Sequence, residues 1–174
     1  MSTRSRLVTI VTVPISFWLT RGHAAVQRSA GFDVHAISSP GTLADEYSRA
    51  QNVPVHPVSM ARRIAPWSDL ISLARLAAML NRLKPRVVQA GTPKAGLLGM
   101  SAAYFLQVPI RVYYIHGLPM LTARGLKRLI LRLSERLACA MATHVLWERH
   151  ARSPVAPPTK RAAGMNCGLI WAPA

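Results

Sequence analysis

Two kinds of hydrophobic pattern follow each other along this chain. Short runs rich in β-branched residues are typical of strands that are buried on both faces of a parallel sheet. The segments between them carry apolar residues every three or four positions, as amphipathic helices do. The first pattern predicts strands at 7–13, 33–38, 53–58, 86–90 and 109–115, with a sixth beginning at 144. The second pattern predicts helices at 17–30, 43–51, 66–84, 95–106 and 125–142.

Residues that interrupt regular structure fall between these segments. Gly31 stands where the first helix should stop, and Pro66 and Pro85 bracket the third helix. Strands that alternate with helices indicate right-handed crossovers and a mainly parallel sheet with helices on both faces. We therefore expect an α/β, Rossmann-like domain over residues 1–146. Residues 147–174 contain several prolines and no periodicity, so we expect an irregular tail there.

The last predicted helix is amphipathic and basic. Its apolar positions fall on one face: Leu126, Leu129, Ile130, Leu133, Leu137 and Met141. Its cations lie elsewhere around the helix: Lys127, Arg128, Arg132 and Arg136. Cys139 is on the same helix, where we expect a small buried residue. Neither Cys139 nor Cys167 has the spacing that a metal site needs, so we predict no metal.

The length of 174 residues suits one domain, and the apolar fraction of 51% is enough for a core. No apolar run reaches the roughly 18 residues that span a bilayer. The basic start followed by Leu7–Val13 resembles a signal peptide, but Thr9 and Thr12 dilute the run. A buried first strand fits better. We therefore expect a cytoplasmic protein, with peripheral attachment to the inner face of the membrane as a further option.

The net charge of +16, from 22 basic and 6 acidic residues, indicates an anionic partner. No zinc-finger, RNP-type or basic-zipper pattern is present, which favours acidic lipid head groups over nucleic acid. A GC-rich coding background would give the same arginine bias. Arg62, Arg63 and Trp67 precede and begin the third helix and form a candidate membrane-surface segment. The alternative is an ordinary helix with a solvated face.

Two predicted strands end in polar, glycine-bearing loops that lead into helices. Thr92, Pro93 and Lys94 follow the fourth strand, and His116 and Gly117 follow the fifth. Because the carboxyl ends of parallel strands share one sheet edge, these residues define a candidate binding site. Lys94 beside a helix N-terminus favours a phosphate group, although a lone lysine is ordinarily solvated. His116 either contacts a ligand or simply ends the strand.

The loop after the first strand reaches the same edge of the sheet. Ser16 and Phe17 lie in it, where the hydroxyl and the ring could contact a ligand. In the competing interpretation, Ser16 caps the first helix. No nucleophile elbow and no phosphate-binding P-loop occurs in the sequence, so nucleophilic catalysis has no support.

Several of these motifs together resemble the N-terminal half of a family-4 glycosyltransferase of the GT-B architecture. The resemblance covers Leu7–Leu146. The segments that carry it are Ser38–Gly41, Val58–Pro66 with Asp69 and Leu70, Thr92–Met100, Val108–Tyr113, His116–Pro119 and Glu135–Cys139. The resemblance implies two Rossmann-like halves that face each other across a cleft. The N-terminal half holds the acceptor, and the C-terminal half holds the nucleotide sugar, usually with a Glu-x7-Glu motif.

That acidic motif is absent from this sequence, and the family pattern breaks after Leu146. The resemblance therefore implies an acceptor-side half that transfers sugar to a lipid-linked or cell-surface saccharide only with a donor-binding half, which a separate chain could supply. It implies no cofactor besides the nucleotide-sugar substrate. It further implies His116 near the transferred sugar as a catalytic residue. The implied acceptor-binding residues are Ser16, Phe17, Thr92, Pro93, Lys94 and Gly117.

A second interpretation stays open. The chain could be a basic binding module that holds an anionic saccharide or a membrane lipid without chemistry, so the sequence alone leaves enzyme activity undecided. A nucleic-acid-binding domain is the weakest alternative, because it rests on charge alone.

Overall fold

The computed structural model describes residues 4–20, 22–63, 65–116 and 124–147. Six parallel strands form one sheet: β1 (Arg6–Ile10), β2 (Asp33–Ser38), β3 (Val55–Pro57), β4 (Val87–Ala90), β5 (Ile110–Ile115) and β6 (His144–Trp147). The strand order is β3-β2-β1-β4-β5-β6, and every neighbouring pair is parallel. The helices are α1 (His23–Ser29), α2 (Thr42–Gln51), α3 (Pro66–Leu83), α4 (Pro93–Phe105) and α5 (Gly125–Met141), with a 3-10 helix at Pro14–Thr20. The predicted α/β, Rossmann-like fold is confirmed.

The sheet separates two apolar cores. Val8 and Ile10 of β1 belong to the larger core, which α3, α4 and α5 cover. Leu7 and Val11 point to the opposite face and join a smaller core with residues of the first helical segments. This alternation is the two-residue period of a strand that is buried on both faces. It explains why β1 reads as a continuous apolar run.

Small residues let α4 lie close to the sheet. A Cβ atom on Gly96 would stand 2.2 Å from the Tyr113 ring of β5, and one on Gly99 would stand 3.0 Å from Ile10. The backbone of α4 therefore approaches the strands more closely than side chains would allow. The tight packing fixes where the first turn of α4, and the loop before it, meet the sheet edge.

The predicted first helix is wrong in its start. Residues 14–20 form the 3-10 helix, and α1 begins only at His23. Gly22 separates the two with φ +81°, a left-handed conformation that a regular helix cannot contain. Elsewhere the predicted strands and helices exist and their bounds shift by a few residues.

The apolar side of α5 faces outward. Five of its residues are exposed and follow helical spacing, and we call them the apolar stripe: Leu126, Leu129, Ile130, Leu133 and Leu137. The buried side of the helix carries Glu135, Ala138, Cys139 and Met141. The prediction that Cys139 is a small buried residue is confirmed.

The predicted tail contributes only Trp147, the last residue of β6, to the described residues. The remainder of that tail, and Gly117, lie outside them. Within the described ranges, no helix combines the length and the apolar character that crossing a bilayer requires.

Candidate functional site

A cavity of about 530 Å³ lies beside the carboxyl ends of β1 and β4. Its polar lining comes from Thr12, Ser16, Arg62, Arg63, Asp69, Thr92, Lys94 and Ser134. Its apolar lining comes from Val13, Pro93, Leu97, Leu98, Ile130 and Leu131. The cavity therefore brings together Ser16, Arg62, Arg63, Thr92, Pro93 and Lys94 from the sequence prediction.

Hydroxyl groups fix the wall where the strands end. The Thr92 hydroxyl accepts the Thr12 amide at 3.2 Å and shares a hydrogen bond with the Thr12 hydroxyl at 2.7 Å. The Ser39 hydroxyl accepts the Met60 amide at 2.9 Å and lies 2.8 Å from the Thr12 carbonyl oxygen. These contacts join the segments that follow four strands, β1 to β4, so the wall is formed before any ligand arrives.

Helix α4 begins at this wall without a side-chain cap. The Thr92 hydroxyl is turned toward β1, and it makes no capping bond to the first turn of α4. Pro93 at the helix start has no amide hydrogen to satisfy. The other amides of the first turn carry the positive end of the helix dipole, which favours an anionic group.

Lys94 forms an ion pair with Asp69. Its Nζ atom lies 2.7 Å from Asp69 Oδ1 and also donates to the Arg63 carbonyl oxygen. The Lys94 side chain is only 15% exposed, so it is not the solvated lysine that is the usual case. Asp69 compensates its charge, and the pair joins the first turn of α3 to that of α4. Lys94 thus connects two helix starts through contacts within the protein.

Arg62 and Arg63 remain exposed on the cavity wall. Neither guanidinium forms an ion pair with any residue that the structure describes. An uncompensated cation beside a helix N-terminus suits a phosphate, which arginine binds with two parallel hydrogen bonds. Arg62 and Arg63 are therefore the candidates for the anion-binding role that the sequence suggested for Lys94.

His116 stands at the end of β5, outside the cavity lining. Its ring stacks on Tyr114 at 5.8 Å between ring centroids, and the Tyr114 ring lies 6.0 Å from that of His23. A Cβ on Gly91 would come within 2.9 Å of the His116 Nε2 atom, so the absence of a side chain at Gly91 makes room for the imidazole. His116 thus lies against Gly91, the residue before Thr92 of the cavity lining.

Two of the predicted site residues lie elsewhere. Phe17 is 1% exposed and stacks on Tyr47, with ring centroids 4.1 Å apart, so its ring belongs to the core. It borders a separate cavity of about 140 Å³ and does not line the larger one. Trp67 is 82% exposed at the start of α3 and does not line the cavity. Ser16 lines the cavity from within the 3-10 helix and does not cap α1, which begins seven residues later at His23.

Sequence reasoning gave no site role to Asp69 or to the α5 residues of the cavity. The position of Asp69 in the first turn of α3 was a visible signal, because acids there are stabilised by the helix dipole. Its partner, 25 positions away, was not visible. Ile130, Leu131 and Ser134 reach the cavity only because α5 packs against α4.

Glu135 is a buried acid close to this region. Its Oε2 atom accepts the Tyr113 hydroxyl at 2.8 Å, and among the described residues its Oε1 atom has no hydrogen-bond partner. Burial raises the pKa of the Glu135 carboxyl, and the Tyr113 hydrogen bond offsets part of that rise. In the described part of the chain, no three His, Cys, Asp or Glu side chains are placed to hold a metal ion.

Residues 15–148 match the family model described as glycosyl transferase 4-like. The chain is 40% identical over 137 residues to the capsular polysaccharide biosynthesis glycosyltransferase CapM of Staphylococcus aureus. The aligned region covers 79% of this chain and 35% of CapM. Its fold is similar to that of Acinetobacter baumannii MurG (TM-score 0.56, 16% identity, 87% of this chain and 43% of that one). It is also similar to the UDP-GlcNAc 2-epimerase of Methanocaldococcus jannaschii (TM-score 0.59, 17% identity, 83% and 39%). The chain thus spans less than half the length of these proteins.

Proposed function

This chain belongs to the glycosyl transferase 4-like family, and on that basis we propose that it forms the acceptor-side half of a glycosyltransferase. The sugar would come from a nucleotide-sugar donor, and the acceptor would be a lipid-linked saccharide. Because the same fold also occurs in an epimerase, fold alone does not carry this proposal. The sequence relationship to CapM and the chemistry of the cavity carry it.

The mixed lining of the cavity is the observation that most favours this function. Hydroxyl groups of Thr12, Ser16 and Ser134 suit the hydroxyl groups of a saccharide. Arg62 and Arg63 suit a phosphate or diphosphate. The third part, an apolar surface at Leu97, Leu98, Ile130 and Leu131, suits the first units of a lipid chain. A lipid-linked saccharide has these three parts.

We propose that transfer also requires a donor-binding half. The described site holds the Arg62 and Arg63 cations and hydroxyl groups on one sheet edge, and GT-B enzymes close such an edge with a second Rossmann-like domain. His116 then faces the transferred sugar, and Gly117 is kept as a proposed acceptor-binding residue on the family resemblance alone. The imidazole hydrogen-bonds a sugar hydroxyl or offsets the negative charge of the donor phosphates.

Arg62, Arg63 and Trp67 would place this half at an anionic membrane. The tryptophan is the most exposed large apolar residue described, and the two arginines stand a few residues before it. This arrangement combines an interfacial anchor with charges that attract acidic lipids. Peripheral binding at the cytoplasmic face follows from it as part of the proposal.

The second candidate is a binding module without chemistry. The uncompensated Arg62 and Arg63 favour it as much as they favour an enzyme, since they explain binding of an anionic lipid but not transfer. The two candidate functions predict different results when a donor-binding half is added. A glycosyltransferase half would then transfer sugar, whereas a binding module would still transfer none.

Titration of a short-chain prenyl diphosphate glycoside into the chain tests the acceptor site. We expect Arg62→Gln with Arg63→Gln to weaken binding at least tenfold, since each charged hydrogen bond contributes about 1.5–3 kcal/mol. The matched control removes two exposed arginines from other surfaces, Arg49→Gln with Arg86→Gln, and should bind like the wild type. UDP provides the opposing arm. Tighter binding of UDP than of the glycoside would show that this half is not the acceptor side.

A further inference from the structure

Helix α5 carries an apolar surface that nothing in the described chain covers. The five residues of the apolar stripe are between 37% and 72% exposed. At 100° per residue they occupy an arc of about 100° along the outer side of the helix. Apolar stripes of this width ordinarily face a protein core, so their exposure indicates a second apolar environment.

Packing on the inner side holds the stripe outward. Glu135 lies on the opposite side of α5, is 4% exposed, and accepts the Tyr113 hydroxyl of β5 at 2.8 Å. Ala138 beside it is fully buried against the sheet core. Rotating α5 to bury the leucines would expose Ala138 and break the Glu135–Tyr113 contact. The outward orientation is therefore fixed by specific contacts.

The charges of α5 distinguish between the environments that could cover the stripe. Arg128, Arg132 and Arg136 are exposed and follow one another at four-residue spacing along one flank. Glu135, the only acid of the helix, is buried. The outer surface thus combines leucines and arginines with no acidic side chain. A second copy would bring the same arginines into apposition, whereas an anionic bilayer complements them.

We infer that α5 lies on an anionic membrane surface, with its apolar stripe in the head-group region and its arginines against acidic lipids. The inference rests on the proposed function and extends it. Ile130 belongs both to the apolar stripe and to the cavity lining, so the stripe and the cavity adjoin each other on α5. A lipid-linked acceptor reaches the cavity from the bilayer along this helix.

Flotation of the full chain with phosphatidylcholine vesicles, with and without 30% phosphatidylglycerol, tests the inference. We expect salt-sensitive binding to the anionic vesicles only. Leu129→Ser with Leu133→Ser should reduce that binding at least tenfold. Arg128→Gln with Arg136→Gln should reduce it about 25-fold, since each surface cation contributes about fivefold. All four positions are exposed, so thermal unfolding should stay close to that of the wild type.

Two matched variants control for surface change in general. Val26→Ser with Phe105→Ser removes two apolar side chains from α1 and α4 that are even more exposed than the two leucines. Arg49→Gln with Arg86→Gln removes two charges elsewhere. Both controls should float like the wild type. Unchanged flotation of the leucine variant would overturn the inference. So would a wild-type dimer that dissociates in the leucine variant. Tighter binding to duplex DNA than to anionic vesicles at physiological salt would also overturn it.

The assay distinguishes this inference from the proposed function. It contains neither sugar nor acceptor, so loss of vesicle binding would leave the glycoside titration unaffected. Conversely, suppose that the wild-type chain floats, that the α5 variants do not, and that the wild type fails to bind the glycoside. The membrane inference would then stand, and the proposal of an acceptor site would fall.

Discussion

At the scale of single residues, Glu135 is a buried acid that fixes the orientation of a helix but lowers the stability of the domain. An acid in a core loses its hydration, and one hydrogen bond from Tyr113 does not replace it. The pKa of the carboxyl is raised for this reason. The residue nevertheless fixes the orientation of α5. We interpret Glu135 as a residue that fixes the orientation of α5 and lowers the free energy of unfolding at neutral pH.

Glu135→Gln should stabilise the domain at neutral and alkaline pH. The folded state keeps the proton of Glu135 above the pH at which the unfolded chain releases it, so the wild-type free energy of unfolding falls as pH rises through the raised pKa. Glutamine still accepts the Tyr113 hydroxyl and does not titrate. The difference should be near zero at pH 4 and grow toward pH 8, by about 1.4 kcal/mol per pKa unit. Urea unfolding at several pH values measures it.

Glu135→Ala is the contrasting variant. It removes the partner of a buried hydroxyl and leaves a cavity, so it should destabilise at every pH. A glutamine variant that is less stable than the wild type at pH 8 would contradict the account of the raised pKa.

At the scale of elements, the sequence pattern predicts which strands and helices exist better than it predicts which side of a helix faces the sheet. The β-branched runs identify the strands because burial on both faces leaves a continuous apolar signal, as at Leu7–Ile10. The start of α1 was predicted too early because the helical pattern continues through Gly22. That glycine, which costs a helix stability, was the one sign in the sequence of a later start. The periodicity of α5 was visible, yet the side it turns to the sheet is decided by Glu135 and Tyr113, which lie on different elements.

Gly96→Ala should separate α4 from β5. The new Cβ would stand 2.2 Å from the Tyr113 ring, and that ring is fully buried and cannot move aside cheaply. We expect a loss of about 3 kcal/mol or more, or no folded protein, by the cost of overpacking a tight core. Thermal or urea unfolding checks this.

Gly91→Ala serves as the comparison. Its Cβ would meet the His116 side chain at 2.9 Å, and a surface-bordering imidazole can shift. This variant should therefore fold, with a smaller loss and altered His116 ring resonances. Equal stability of the two variants would refute the close α4–β5 approach.

At the scale of the whole molecule, the sequence predicted which loops meet at one sheet edge but not the contacts that join them. Loops at the carboxyl ends of β1 and β4 were expected at one edge, and Ser16 and Thr92 do line the same cavity. The Lys94–Asp69 pair joins two helices, and no spacing rule predicts such a contact. Phe17 was misplaced because an aromatic ring after a strand serves a core as readily as a binding site.

The 174-residue chain should transfer no sugar above background when incubated with nucleotide sugars and a prenyl diphosphate glycoside. A chimera that continues after Trp147 with the C-terminal part of CapM should gain transfer, because it supplies a donor-binding half. In the chimera, His116→Ala should lower kcat about 100-fold with little change in glycoside binding. Radiolabelled sugar incorporation measures transfer in all three cases, and the glycoside titration measures binding.

Full-length CapM is the positive control for donor and acceptor. Robust transfer by the unfused chain would overturn the proposal that a second half is needed. A well-folded chimera that binds the glycoside but transfers nothing, while CapM is active, would favour the binding module.

The central place of β1 has a consequence for how the chain is made. β1 pairs with β2 on one side and β4 on the other, and the bond between Thr12 and Thr92 closes a separation of 80 residues. During synthesis at about 5–20 residues per second, β1 emerges first and keeps one edge unpaired for roughly 4–16 s until β4 follows. An apolar strand with an open edge over that interval is a template for pairing with another nascent chain. The ribosome-bound chain is therefore most exposed to aggregation, and most in need of a chaperone, before α4 is translated.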